Sequence, residues 1–286
     1  MRYAYFPGCS NHASSKDYEQ STQAVARVLG VELAELPDWN CCGTTGVTSV
    51  SPLLSAVLSA RNLAIAEAQG WEEVVVTCNS CFGMLRRAGD YHRQDPAMRE
   101  KIDAALAGVG KKWQGQTRVR HLLDILVNDV GLETIAGKVK RPLRLKIAPY
   151  YGCLLGRPRN EFEDSEYPES MDQLLSAVGA EVVPYDHKAK CCGGALMTTK
   201  EEVALRLCYE IIGEAQDRGA QVIAVTCPMC QLNLDGYQNK INARFGTNFK
   251  MPVLYFTQLV GLALGLRERQ LAIGKGFVPV KQVINF

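Results

Sequence analysis

Ten of the eleven cysteines fall into two sets with one order: Cys9, the adjacent Cys41 and Cys42 followed by Gly43, and Cys78-x-x-Cys81; then Cys153, Cys191 and Cys192 followed by Gly193, and Cys227-x-x-Cys230. The spacers are 31 and 35 residues in the first set, 37 and 34 in the second. Each set draws five thiols from three distant points of the chain, and thiolates are the ligands of zinc and of iron–sulfur clusters. A structural zinc ion takes four ligands and would leave one thiolate over in each set. A four-iron cubane also takes four cysteines. The fifth thiol asks for something other than either, so the pattern favours iron–sulfur chemistry, with zinc as the alternative occupant. Disulfides fit poorly, because a bridge between the neighbours Cys41 and Cys42 closes a strained ring.

Such sets need elements that bring them together. The run YAYFPGC at residues 3–9 matches IAPYYGC at 147–153, and VVVTC at 74–78 matches AVTC at 224–227. Each predicts a short strand delivering a cysteine at its end. A third anchor pairs VRHLLDIL at 119–126 with VLYFTQLV at 253–260, strand running into helix. Leu53, Leu54, Val57, Leu58, Ala64, Ile65 and Ala68 predict an apolar helix stripe, with Ser51 as N-cap, Pro52 in the first turn and Gly70 at the end. Val203, Ala204, Leu207, Cys208, Ile211, Ile212 and Ala215 predict the matching helix, closed by Gly219.

Alternation of strand and helix in both halves predicts an α/β protein of two duplicated domains, residues 1–140 and 141–286. Each is expected to be a small, mostly parallel sheet flanked by helices, the two related by pseudo-twofold symmetry, with the basic segment 137–144 as linker. Cys78 and Cys227 are expected where a strand ends and a helix begins, where free N–H groups and the positive helix end favour thiolate. Gly8, Gly43, Gly46, Gly152, Gly193 and Gly194 leave room for backbone to approach a large inorganic anion.

Composition narrows the function. A chain of 286 residues with 47% hydrophobic content can bury two cores. Its net charge of +2 is too mild for nucleic-acid binding. The first residues lack the pattern of a secretory signal, and the most apolar run, 253–266, is interrupted by Thr257 and Gln258. It falls short of the ~20 residues of a bilayer crossing, so no membrane span and a cytoplasmic location are expected. No Gly-x-Gly-x-x-Gly follows a strand, so no flavin or nicotinamide is expected in this chain. The compact cysteine run of a ferredoxin is missing too, so electrons must come from partner proteins.

The order Cys, Cys-Cys, Cys-x-x-Cys resembles the cysteine-rich CCG domain, and two copies in a chain of this length resemble the B-type subunit of heterodisulfide reductase. The likeness extends to residues 252–263 (PVLYFTQLVGLA), and the one departure is the 34-residue spacer of the second copy, one short of the usual range. The resemblance implies two noncubane 4Fe–4S clusters, one held by Cys9, Cys41, Cys42, Cys78 and Cys81, the other by Cys153, Cys191, Cys192, Cys227 and Cys230. It implies a disulfide reduced, or formed, between them by two one-electron steps. It also implies two partners, a ferredoxin-like iron–sulfur subunit of the C type and a flavin-containing subunit of the A type. The substrate would be a small anionic or protein-linked disulfide. CCG proteins are also similar to electron-transfer subunits of succinate, fumarate and hydroxyacid oxidoreductases, which is the alternative function. A zinc-stabilised interaction protein is the second alternative.

Other residues invite roles. His12, three residues after Cys9, and His187, four before Cys191, are candidate proton donors for a departing thiolate. Arg157 and Arg159 follow Cys153, Lys188 and Lys190 precede Cys191, and Arg86 and Arg87 follow Cys81, so together they could attract an anion. Solvated loop charge is the plainer explanation of these. Trp39 reads as a cluster shield or a core aromatic. His121 reads as a packed, hydrogen-bonded histidine, and Cys208 as a core thiol with no counterpart in the first half.

Overall fold

Two four-stranded sheets, every strand parallel to its neighbours, carry the chain. The structure is a computed structural model and describes residues 1–44, 46–158 and 161–280. The first unit comprises Met1–Ser14 and Gly30–Leu122, the second Ser15–Leu29 and Leu123–Phe286.

In the first unit the strands are β1 (Arg2–Phe6), β2 (Glu32–Glu35), β3 (Glu73–Val76) and β4 (Arg118–His121), in the order β2-β1-β3-β4. Ala4, Tyr5 and Phe6 pair with Val74, Val75 and Val76, and all six are fully buried. That is why these strands read as continuous apolar runs rather than alternating ones. The chain leaves β1 towards β2 and β3 towards β4, on opposite sides. The carboxyl ends of β1 and β3 therefore form a topological switch point, the crevice where open parallel sheets bind ligands.

The Pro52–Ala68 helix begins as predicted, Ser51 Oγ accepting from Leu54 N at 3.1 Å. Its buried face keeps Ala64 and Ile65 of the predicted stripe and departs from it in the first turns. Ser55, Ala56, Ser59, Ala60 and Asn62 are buried, whereas Leu54 is 48% exposed. Small side chains let this helix come close to the Cys41–Cys42 loop, and its hydroxyls find partners there.

The second unit repeats the plan with β5 (Lys146–Tyr150), β6 (Glu181–Val182), β7 (Val222–Val225) and β8 (Val253–Tyr255), in the order β6-β5-β7-β8. Its equivalent switch point lies between β5 and β7. The Glu201–Asp217 helix buries Ala204, Leu205, Cys208, Ile211, Ile212 and Ala215. Val203, expected on that face, is 49% exposed, since it falls on the neighbouring stripe of the first turn.

The Lys16–Leu29 helix belongs to this unit. Tyr18 stacks flat on Tyr255 with centroids 3.9 Å apart, and its hydroxyl donates to Thr226 O at 3.1 Å. Ser21 Oγ and Thr257 Oγ1 lie 2.7 Å apart. Segment 137–144 is tied down by Lys140 N and Arg141 N to Ala263 O and by Leu143 N to Val178 O. Among the described residues no helix is long and apolar enough to cross a membrane.

Candidate functional site

In the first unit Cys9 lies in the short Gly8–His12 helix directly after β1. Cys78 is the N-cap of the Asn79–Gln94 helix directly after β3, with Cys81 in its first turn. Cys41 and Cys42 lie in the loop beyond β2. The three points meet at the switch point. Cys9 Sγ is 3.8 Å from Cys41 Sγ, and the thiol contacts continue from Cys41 to Cys42, to Cys81 and to Cys78. Cys42, Cys78 and Cys81 are buried and Cys9 and Cys41 exposed, so the run of contacts has a dry inner end and a wet outer one.

Two glycines keep the space clear. Gly8 has φ +76°, and a Cβ there would stand 3.0 Å from Cys81 Sγ. A Cβ on Gly43, also at φ +76°, would stand 3.2 Å from Ser55 Cα. The double-cysteine loop is held by hydroxyls: Ser59 Oγ donates to Cys42 O at 2.9 Å, and Ser55 Oγ and Thr48 Oγ1 donate to Gly43 O at 3.2 and 3.1 Å. Asn62 adds a paired contact with the backbone of Asn40.

In the second unit Cys153 follows β5, and Cys227 is the N-cap of the Pro228–Gly236 helix after β7, with Cys230 in its first turn. Cys192 Sγ is 3.5 Å from Cys230 Sγ, which touches Cys227, while Cys153 touches Cys191. Cys192, Cys227 and Cys230 are buried and Cys153 and Cys191 half-buried. Here the loop is held by other groups. Cys208 Sγ donates to Cys192 O at 3.3 Å, and Asn233 Nδ2 donates to Cys192 O at 3.1 Å and Gly194 O at 3.0 Å. Cys208 is thus a buried core thiol, but it does have a counterpart. It takes the place of Ser59, seventeen residues after Cys42 as Cys208 is sixteen after Cys192.

The protons are shared unequally. Hydrogen bonds from Cys42 and Cys9 hold the Cys41 thiol below its usual range, and those two are pushed up, chiefly by donating to Cys41. In the second set Cys191 is held down by a hydrogen bond from Cys153, helped by Gly193 N–H and the Arg157 guanidinium. Cys153 and Cys230 are pushed up by their thiol partners and by burial. Five thiolates so close need a cationic centre to neutralise them, and filling the site would release protons. The donor chemistry and the bare space at Gly8 suit an iron–sulfur group. Among the described residues no three His, Cys, Asp or Glu side chains are grouped to hold a metal ion.

The remaining predicted residues divide. His12 pairs with Glu35 at 3.2 Å and packs edge-on to Trp39, and His187 Nδ1 pairs with Glu214 at 2.5 Å. Trp39 is half-buried and sets its edge on Phe6. His121 is buried, its Nε2 3.0 Å from Thr77 O. Lys188 cannot attract a ligand: it is 1% exposed, with Nζ 2.7 Å from Asp172 Oδ1 and 2.8 Å from Pro168 O. Burying that charge is tolerable because Asp172, the Pro168 carbonyl and the Tyr167 ring all face it. Lys190 pairs with Glu210, and Arg157 with Glu166 at 2.8 Å. Arg86 lies over the Phe82 ring, Arg87 lines a small cleft with Thr48 and Met84, and Arg159 lies outside the described residues.

Sequence reasoning missed Thr48, Ser55, Ser59 and Asn233, and the grouping of buried Tyr151 and Lys188 with half-buried Asp172. Lys188 O accepts from Tyr151 N and Gly152 N, which joins the Cys153 and Cys191 loops. One signal was available: two serines four apart, in a helix otherwise rich in Leu and Ala.

Comparison with known proteins gives a consistent result. The CCG cysteine-rich domain family matches residues 3–86 and again 147–235. The 8-methylmenaquinol:fumarate reductase membrane anchor subunit of Wolinella succinogenes is 36% identical over 98% of each chain. The B-type subunit of the ferredoxin/F420H2-dependent CoB-CoM heterodisulfide reductase of Methanosarcina acetivorans is 31% identical over 95% of this chain and 92% of that one. A protein of Archaeoglobus profundus that is like the B-type subunit of heterodisulfide reductase is 32% identical over 100% of this chain and 97% of its own. A hypothetical protein from Helicobacter pylori shares the fold with a TM-score of 0.80 at 16% identity, over 98% of this chain and 52% of that one.

Proposed function

The chain belongs to the family of paired cysteine-rich CCG domains that includes the B-type subunit of heterodisulfide reductase, and on that premise we propose that it is the disulfide-handling subunit of a multi-subunit reductase. The observation that carries the reading is the gathering of five thiols at the carboxyl ends of β1 and β3, repeated at β5 and β7. Each set would hold one noncubane 4Fe–4S cluster, with Cys9, Cys41, Cys42, Cys78 and Cys81 for one and Cys153, Cys191, Cys192, Cys227 and Cys230 for the other. Two such clusters supply two one-electron steps, which is what cleaving or forming a disulfide requires.

The chain's own residues do the placing. Gly8 and Gly43 leave space, the buried thiols fix the inner end of each site, and the exposed or half-buried ones face the entering substrate. The Arg157 guanidinium beside Cys191 favours an anionic sulfur there. His12 and His187, each beside a carboxylate, are the candidate proton donors. Electrons would come from a ferredoxin-like and a flavin-containing subunit in the cytoplasm, and their potential would set the direction.

The 36% identity to a fumarate reductase subunit favours a second reading, an electron-transfer subunit with the same clusters and no disulfide chemistry. Metal and sulfide analysis of anaerobically purified protein, with electron paramagnetic resonance before and after adding a thiol under oxidation, tests both. About eight iron per chain and a thiol-dependent signal are expected. The same iron without a thiol response would leave electron transfer alone, and about two zinc with little sulfide would overturn both readings.

A further inference from the structure

Three residues after the last cysteine of each set, the two units differ. Met84 follows Cys81 and Asn233 follows Cys230, each on a helix capped by a cysteine. Asn233 is 2% exposed, and its Nδ2 lies 3.1 Å from Cys192 O, 3.0 Å from Gly194 O and 3.7 Å from Cys192 Sγ. The two oxygens are carbonyls and can only accept, so the amide must turn its NH2 edge to the loop, and the sulfur lies against that edge. The Met84 side chain has no N–H to offer, its sulfur lying 4.0 Å from Thr48 Oγ1, and the first unit serves its loop carbonyls with Thr48, Ser55 and Ser59.

We infer that Asn233 is a positioning residue that directs an N–H dipole at the Cys192 sulfur and so raises the reduction potential of the group bound by the second set. This rests on the iron–sulfur reading above. Reduction puts more negative charge on the ligand sulfurs, and a fixed N–H dipole stabilises that charge more than the oxidised state. Burial strengthens the effect, because little water competes with the dipole. The first set, with a thioether at the equivalent place, is the internal reference.

The test uses the full-length chain. Iron and sulfide are measured first, since their absence sinks the iron–sulfur reading itself. Redox titration followed by electron paramagnetic resonance should then show one midpoint potential falling in Asn233→Met while the other stays, with iron unchanged. Two unmoved potentials at full iron content would overturn the inference. If Asn233→Met sheds a cluster, the decision passes to a second measurement that keeps Asn233. Cys42→Ala protein, whose second set remains intact, is labelled with 15N at the asparagine side-chain amide. A pulsed-resonance coupling between that nitrogen and the remaining paramagnetic cluster is expected, and no coupling would refute the contact.

Discussion

The first unit closes its double-cysteine loop with three hydroxyls and the Asn62 amide beside it, the second with a thiol and an amide. The carbonyl of Cys42 is held by Ser59, and that of Cys192 by Cys208 and Asn233. Phe6 in the first unit faces the same step as Tyr150 in the second, whose buried hydroxyl donates to Lys190 O. Asp38, three residues before Cys41, is exposed and paired with Arg61, whereas Lys188, three before Cys191, is sealed against Asp172. What the duplication keeps is the placement of backbone and sulfur. The side chains that enforce it are free to differ, provided each buried carbonyl finds a donor.

The widest break in this comparison comes from the cysteines themselves. Cys42→Ala and Cys192→Ala should each lose roughly half of about eight iron and abolish two-electron turnover, read as metal content and activity of the assembled reductase. Loss of all iron in either variant would mean that the units do not load independently.

Lys188→Met should separate the units next. It strips the ion partner from half-buried Asp172, which keeps its Tyr151 contact, and should cost about 1.5–3 kcal/mol in denaturant unfolding. The matching Asp38→Asn removes an exposed pair, keeps a residue that tolerates the left-handed backbone there (φ 52°), and should cost no more than about 1 kcal/mol. Equal costs would break the contrast drawn between the two loops.

The smallest effects concern the loop donors. Ser59→Ala should cost about 1–3 kcal/mol, because Cys42 O loses its donor inside the protein. Cys208→Ala should cost less, about 0.5–1.5 kcal/mol, since Asn233 still serves Cys192 O, and Cys208→Ser should be close to neutral. Each is measured by unfolding alongside iron content, which should not change. Full cluster loss in Cys208→Ala would overturn the division of the cysteines into ten and one.

The ten thiols, the strand-to-helix junctions at Cys78 and Cys227 and the parallel sheets were legible because each has a local signature. These are a spacing, an apolar run or a glycine. Ser55 and Ser59 were not, because a serine on a helix reads as a solvent face until the carbonyl it meets is known. The same blindness misphased the Pro52–Ala68 helix towards Leu54. Lys188 failed for the opposite reason. A lysine beside a candidate ligand reads as a free charge, and only the fold shows Asp172, sixteen residues earlier, closing over it. The allegiance of the Lys16–Leu29 helix is a matter of tertiary packing, and no local pattern carries it.

That helix has a consequence for synthesis. Tyr18 leaves the ribosome early, yet the carbonyl its hydroxyl reaches belongs to Thr226, 208 residues later. At 5–20 residues per second the gap amounts to roughly 10–40 s. For that interval an amphipathic helix with Tyr18, Val25 and Leu29 on one face has no seat of its own. The nascent chain therefore carries a sticky segment through most of its translation, a natural point of engagement for a chaperone.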